Sequence, residues 1–262
     1  MSELHGRWAL ILGASSGFGE AASLELARRG MNILGVHLDR KGTLPNVERI
    51  VTEIRKSGSH AEFFNVNAAD DANRTQVLDA AQQKLDGKPI HVLFHSLAFG
   101  TLKPFLAPKP EDRITKPQME MTLDVMANSL VYWVQDLHAR KLLGKGSRVF
   151  SMTSAGGERI WATYGAVSAA KAALESHTRQ LAFELAAEGI AVNSLRAGVT
   201  DTPSLRKIPG HEGMIQMVLN RHPAKRLTTP EDVARILAAL STSGTEWMTG
   251  NVINVDGGEF NV

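Results

Sequence analysis

The chain reads as a doubly wound α/β domain, a seven-stranded parallel sheet with helices on both faces. Three observations predict it. Short apolar runs alternate with longer helical stretches along the 262 residues, the pattern of a parallel sheet covered on both sides. The first run, Trp8-Ala-Leu-Ile-Leu12, is apolar at every position, as a strand buried on both faces requires. It leads straight into a glycine-rich turn, Gly13-Ala-Ser-Ser-Gly17-Phe-Gly19, and then into a helical pattern.

The elements follow in order. After the strand Trp8 to Leu12, a helix is predicted from about Gly19 to Arg29, a strand from Asn32 to Leu38, a helix around Val47 to Ser57 and a strand from Ala61 to Val66. A helix through Thr75 to Leu85 precedes a strand from Ile90 to His95. Residues 122–141 read as one long helix, Ser147 to Met152 as the fifth strand and Tyr164 to Ala187 as another long helix. Ala191 to Leu195 and Asn251 to Val255 complete the sheet. The stretch Gly100 to Met121 is long for a connection in a compact domain, and loops of that length tend to be binding loops or lids.

Composition bounds the rest. No linker-like stretch, charge block or internal repeat divides the chain, so residues 1–262 are expected to form a single domain. Lysine plus arginine number 29 against 27 acidic residues, scattered along the chain, and no nucleic-acid partner is expected. The absence of cysteine removes disulfides and thiolate metal sites, and no metal site is expected. No run approaches 18 apolar residues, so neither a membrane span nor a membrane partner is expected. A cytoplasmic location is the expectation.

The glycine loop is the first chemistry-bearing motif. Gly13 permits a tight turn, Gly17 lets backbone approach a pyrophosphate, and Gly19 lets the helix pack closely on the strand. The helix N-terminus then presents unpaired N–H groups and positive dipole to phosphate oxygens. The spacing of these glycines, with Ala-Ser-Ser inside it, resembles the loop of the short-chain dehydrogenase/reductase superfamily. The likeness extends over nearly the whole chain: Asn193 to Thr202 looks like the superfamily's segment past strand six, and Asn251-Val-Ile-Asn-Val-Asp256-Gly-Gly258 looks like its C-terminal signature.

That resemblance implies a Rossmann-like fold and a nicotinamide cofactor. The positions it implies for cofactor contact are Gly13, Ser15, Ser16, Gly17, Phe18, Gly19, His37, Arg40, Asn65, Val66, Ser96, Leu97, Ala98, Lys171, Gly198, Val199 and Thr202. At the end of the second strand an acidic residue would hold the adenosine ribose and repel a 2′-phosphate. Here that position is His37, with Asp39, Arg40 and Lys41 following. Cations within reach of a 2′-phosphate favour NADP(H), while Asp39 keeps NAD(H) open.

Ser154, Tyr164 and Lys171 match the superfamily's catalytic positions. Tyr164 and Lys171 stand seven apart. Ketone reductases of the superfamily usually hold this pair four apart, whereas its enoyl-thioester reductases hold it seven apart. Seven helical residues span about 10 Å along the axis, so the tyrosine is expected at or before the helix start. The run His95-Ser96-Leu97-Ala98-Phe99 also looks like the His-Ser-Ile-Ala-Phe run of enoyl-ACP reductases. By this resemblance the chain reduces the double bond of a trans-2-enoyl thioester carried on ACP or CoA. Tyr164 would hydrogen-bond the thioester oxygen, Lys171 would hold the nicotinamide ribose and lower the phenol's pKa, and Ser154 could add a second hydrogen bond. Serine at position 154 is what ketone reductases carry, and a 3-ketoacyl or other ketone or alcohol reductase is the alternative. A dinucleotide-binding sensor is a third reading, disfavoured because it would not need the acid.

Further expectations concern roles and assembly. His95 is read as a buried strand-end histidine rather than a catalyst. Asn128 is read as structural, because Met126 takes the position of the superfamily's helix asparagine. Backbone at Val199 and the hydroxyl of Thr202 would bind carboxamide and pyrophosphate. Residues 203–227, with Leu205, Ile208, Met214, Met217 and Val218, look like a substrate-covering helical lid. The two long helices carry apolar residues beyond one stripe, among them Leu130, Val131, Trp133, Val134 and Leu137 in the first and Leu174, Leu181, Phe183 and Leu185 in the second. These predict pairing across a two-fold axis and a homotetramer.

Overall fold

Residues 2–262 are described by a computed structural model. Seven strands form one sheet: β1 (Trp8–Leu12), β2 (Asn32–His37), β3 (Ala61–Asn65), β4 (Ile90–His95), β5 (Arg148–Ser154), β6 (Ala191–Ala197) and β7 (Val252–Val255). Every pairing is parallel, in the order β3-β2-β1-β4-β5-β6-β7. Chain order reverses between β1 and β4, so the crevice for a ligand opens beyond their carboxyl ends.

Both faces of the sheet are buried, and β1 shows why an unbroken apolar run is needed. Leu10 and Leu12 face one core with Leu93, Trp133 and Leu174, while Ala9 and Ile11 face another with Phe94, Phe150 and Leu237. Strand side chains alternate, so a polar residue at any of these positions would be buried without a partner.

Eight α-helices cover the faces: α1 (Gly17–Arg28), α2 (Leu44–Lys56), α3 (Asp71–Leu85), α4 (Lys116–Leu123), α5 (Ser129–Ala139), α6 (Gly165–Leu185), α7 (His211–Arg221) and α8 (Pro230–Leu240). Two begin before their apolar periodicity does. α2 starts at Leu44 with a proline in its first turn, and α3 starts at Asp71 because the Asp70 carboxylate accepts a hydrogen bond from the Asn73 N–H at 2.9 Å. The helix expected over 122–141 starts at Lys116, where Thr115 and Gln118 cap each other, so the loop from Gly100 is shorter than expected. It also passes through a π-helical segment, Asp124–Asn128, before α5. Helix α8 lies outside the expected elements. Its start carries a Thr229–Asp232 capping box with Pro230 in the first turn.

The helix faces expected to pair between copies are instead covered within the chain. Leu130, Trp133, Val134, Leu137, Leu174, Leu181 and Leu185 are all buried within the chain. Trp133 even donates from its indole to the Ala68 carbonyl at 2.8 Å. Of the apolar residues invoked, Phe183 alone is largely exposed, at 81%.

Candidate active site

A cavity of about 1320 Å³ runs along the carboxyl ends of the strands, from the glycine loop to the lid. At its phosphate end, Gly13 has φ +89°, and a Cβ there would lie 2.6 Å from the Ser96 carbonyl oxygen. The tight turn therefore excludes any side chain. Gly19 is closed off for a different reason, since its Cβ would collide with the Gly13 carbonyl. It is buried and packs helix on strand, while Gly13, Ser15, Ser16, Gly17 and Phe18 line the cavity. Asn46 of α2 pins the loop by donating to the Ser15 carbonyl at 2.9 Å. The fit of this cradle to phosphate follows from bare backbone facing the N-terminus of α1.

Towards the outer strands the cavity meets His37, Asp39 and Arg40. His37 is buried and its Nδ1 lies 3.0 Å from an Asp39 carboxylate oxygen. Burial would raise the Asp39 carboxyl's pKa, but hydrogen bonds from Ser15, Thr43 and His37 outweigh it and hold the group below its ordinary value. Arg40 is exposed at the rim, with no carboxylate partner among the described residues. Asn65 departs from expectation. Its side chain clasps the Asp39 backbone, accepting from N–H at 2.9 Å and donating to C=O at 3.0 Å, and Val66, Asn67 and Ala68 form the wall instead.

The reducing end gathers Ser154 at the tip of β5, Tyr164 and Lys171. Tyr164 is the residue immediately before α6, and Lys171 lies two turns inside it. The preceding Thr163 has φ +63°, a strained conformation for a β-branched residue, and this turns the chain into the helix. The phenol ring rests on Gly156, where a Cβ would strike it. Burial raises the Tyr164 pKa, and Ser154 beside it pulls the value partly back. The two hydroxyls nevertheless make no hydrogen bond, for Ser154 Oγ is buried without a partner. Lys171 is buried, and that burial lowers its pKa to about 8 despite Glu175 one turn further on. Its Nζ donates to the Met152 carbonyl at 2.7 Å. Burial therefore decides the direction for the phenol, which lies above its ordinary value.

Val167, four residues before Lys171, is a buried valine lining the same cavity. His95 is fully buried, with Nε2 2.8 Å from Ser129 Oγ, and burial followed by the Lys171 charge lowers its pKa to about 3. It stays neutral, consistent with a structural role. Asn128 Oδ1 accepts from His177 Nε2 at 3.0 Å, and Met126 lines the cavity in its stead.

Ser96, Leu97 and Ala98 form the wall beside Gly13, and Gly198, Val199 and Thr202 the wall opposite. Thr202 Oγ1 accepts from the Leu205 N–H at 3.2 Å, which starts a single 3₁₀ turn before α7. Leu205, Ile208, Met214, Met217 and Val218 face the cavity from this segment, an adaptable apolar lining. Two contributors lay beyond sequence reasoning. Phe105 packs its ring against Gly165 at the start of α6. Glu259 reaches the Val199 N–H at 2.9 Å across 60 residues of sequence. No local signal announces either contact.

Comparisons with known proteins agree with this geometry. A family model described as enoyl-(acyl carrier protein) reductase matches residues 13–259. The chain is 30% identical to 1-cyclohexenylcarbonyl-CoA reductase of Streptomyces collinus over 251 residues, covering 95% of this chain and 85% of that protein. It is 28% identical to a 3-oxoacyl-(acyl-carrier-protein) reductase of Pseudomonas aeruginosa, covering 98% of each. Among solved structures, a short-chain dehydrogenase of Burkholderia cenocepacia in complex with NADP superposes with a TM-score of 0.83 at 25% identity over all of both chains.

Proposed function

The chain belongs to the short-chain dehydrogenase/reductase superfamily, and from that premise we propose that it reduces the carbon–carbon double bond of a trans-2-enoyl thioester. The observation that carries the reading is the placement of Tyr164 just before α6 with valine at position 167. A ketone reductase with its pair four apart would need its phenol where Val167 stands, and valine donates nothing. The cyclohexenylcarbonyl-CoA relative and the family model support the same reading.

A bound nicotinamide would supply hydride to the β-carbon, which moves charge onto the thioester oxygen as an enolate. The residues of this chain meet that charge. Tyr164, kept protonated by burial, donates a hydrogen bond to the oxygen where charge develops. Ser154 Oγ, buried and unpartnered, offers a second donor. Lys171 holds the nicotinamide ribose once its Nζ leaves the Met152 carbonyl. The apolar wall of Leu205, Met214 and Val218 excludes water from the acyl chain.

NADP(H) is the cofactor we favour. Asp39 has its carboxylate paired with His37 at 3.0 Å, whereas Arg40 stands free at the rim to meet a 2′-phosphate. The NADP-bound Burkholderia structure supports this. Residues 203–227 act as the lid of a single catalytic domain, and ACP or CoA carries the substrate. The ketone-reductase reading keeps one observation of its own, Ser154, and several relatives, among them the 3-oxoacyl reductase, a cyclohexanol dehydrogenase and a tetrahydroxynaphthalene reductase. Following NADPH and NADH oxidation with crotonyl and acetoacetyl esters of CoA and of ACP separates the two. Oxidation with the crotonyl esters is expected, and oxidation with acetoacetyl esters only would reverse the choice.

The assembly we propose is a homotetramer, now resting on Phe183 and on Trp247, which is 98% exposed, rather than on whole helix faces. Light scattering should give about four times the 28.4 kDa chain mass; a monomer mass at micromolar protein would refute it.

A further inference from the structure

The reading above gives the Val199 N–H to the carboxamide of a bound nicotinamide, yet in this structure that donor is already taken. Both carboxylate oxygens of Glu259 lie on it, at 2.9 and 3.2 Å. Glu259 is buried, and both it and Val262 line the cavity. The fit is close. A Cβ on Gly198 would stand 2.5 Å from Glu259 Oε2 and 2.6 Å from Thr228 Oγ1.

Several contacts hold the segment around Glu259. Asp256 accepts from the N–H groups of Gly258 and Phe260, both at 2.9 Å. The Phe260 ring sits between two guanidinium groups, with Arg159 5.0 Å and Arg196 4.6 Å from its centroid. Arg159 also donates to the Phe260 carbonyl at 2.6 Å. Arg196 in turn pairs with Glu158 and with Glu175, one helical turn beyond Lys171. Before this clasp come Gly257 and Gly258, with φ +61° and +89°, where a change of backbone angle carries no Cβ penalty.

We propose that residues 259–262 form a latch across the nicotinamide end of the cavity, and that Glu259 competes with the nicotinamide carboxamide for the Val199 N–H. The inference rests on the dinucleotide reading. One backbone N–H serves one acceptor well, and a carboxylate is a stronger acceptor than a carboxamide oxygen. A ligand that carries nicotinamide must therefore open the latch, while one that ends at the second ribose leaves it shut. Its apparent affinity is reduced by the fraction of molecules that are closed.

The test compares two ligands on the full chain by calorimetry: NADPH, and 2′-phospho-ADP-ribose, which has the same phosphates and adenosine but no nicotinamide. Glu259→Ala should bind NADPH tighter by about fivefold or more, with 2′-phospho-ADP-ribose unchanged within about twofold. Glu259→Gln, which keeps the shape with a weaker acceptor, should fall between wild type and Glu259→Ala. In the wild type, hydrogen exchange at residues 256–262 should speed up on adding NADPH and not on adding 2′-phospho-ADP-ribose. NADPH binding that weakens or stays the same in Glu259→Ala overturns the latch, as does an equal change for both ligands. If Glu259→Ala fails to fold, Glu259→Gln and the exchange measurement decide by the same criteria. A wild-type chain that binds neither these two ligands nor NADH and ADP-ribose overturns the dinucleotide reading and the latch with it, an outcome distinct from all the others.

Discussion

The two ends of the cavity are made differently. The phosphate end is a backbone cradle: Gly13 and Gly17 have positive φ, Asn46 ties the loop to α2, and the Asp39 carboxylate is paired with His37. The reducing end holds unmet capacity. Ser154 Oγ, on the cavity wall, is buried without a partner, Thr163 just before the tyrosine is strained, and Lys171 carries its ammonium in the interior. Buried polar groups normally find partners, so the orphaned Ser154 Oγ marks a place where a ligand would complete the structure. One end recognises a shape common to many dinucleotides; the other is poised for one reaction.

The largest effect expected from this contrast is on turnover. Tyr164→Phe should lower kcat with an enoyl ester by about 10²- to 10³-fold, the usual cost of removing a donor to a developing oxyanion. Cofactor affinity, measured by fluorescence titration, should stay the same. A parallel loss of cofactor binding would break the separation of the two ends.

Lys171, at the reducing end, gives a test with a sign. Its pKa in the fold is about 8 against an ordinary 10.5, so the unfolded chain binds the proton more tightly. The charged lysine therefore costs stability in full below pH 8, and the cost fades as pH rises towards 10.5. Lys171→Met should raise stability at pH 7 by about 1–3 kcal/mol in denaturant melts. The gain should shrink above pH 8, with cofactor affinity reduced at least about tenfold. A variant less stable than wild type at pH 7 would make Lys171 a structural residue.

The smallest effect belongs to the rim of the phosphate end. Arg40→Ala should raise KM for NADPH about tenfold and leave KM for NADH nearly unchanged, the loss of one charge-assisted contact. An equal effect on both cofactors would move the NADP(H) preference elsewhere.

The same contrast explains what was legible in the sequence. β1 lies where its apolar run places it, since a strand buried on both faces is expected to be apolar, and β4 matches as well although it buries His91 and His95. The glycine loop was legible because the required backbone geometry leaves no alternative to glycine at Gly13. The early starts of α2 and α3 were missed because their caps are polar and precede the periodicity. Helix α8 was missed although Thr229-Pro230-Glu231-Asp232 spells its capping box; its segment follows the lid and was given no element. The π-helical segment at Asp124–Asn128 leaves no mark on an apolar stripe. Contacts such as Glu259 on Val199, or the phenol on Gly156, exist only once the strands are side by side. Tyr164 and Lys171 were legible as a pair, but the burial that raises the phenol's pKa was not.

The central claim is where hydride goes, and one measurement reads it directly. NADPH deuterated on the transferred face of C4 is incubated with the chain and the trans-2-butenoyl and 3-oxobutanoyl esters of CoA and of ACP, and products are analysed by mass spectrometry and NMR. The account predicts deuterium at C3 of a saturated butanoyl ester, with the 3-oxo esters returned unchanged. Deuterium on the carbinol carbon of a 3-hydroxybutanoyl ester, with the enoyl esters untouched, would contradict it.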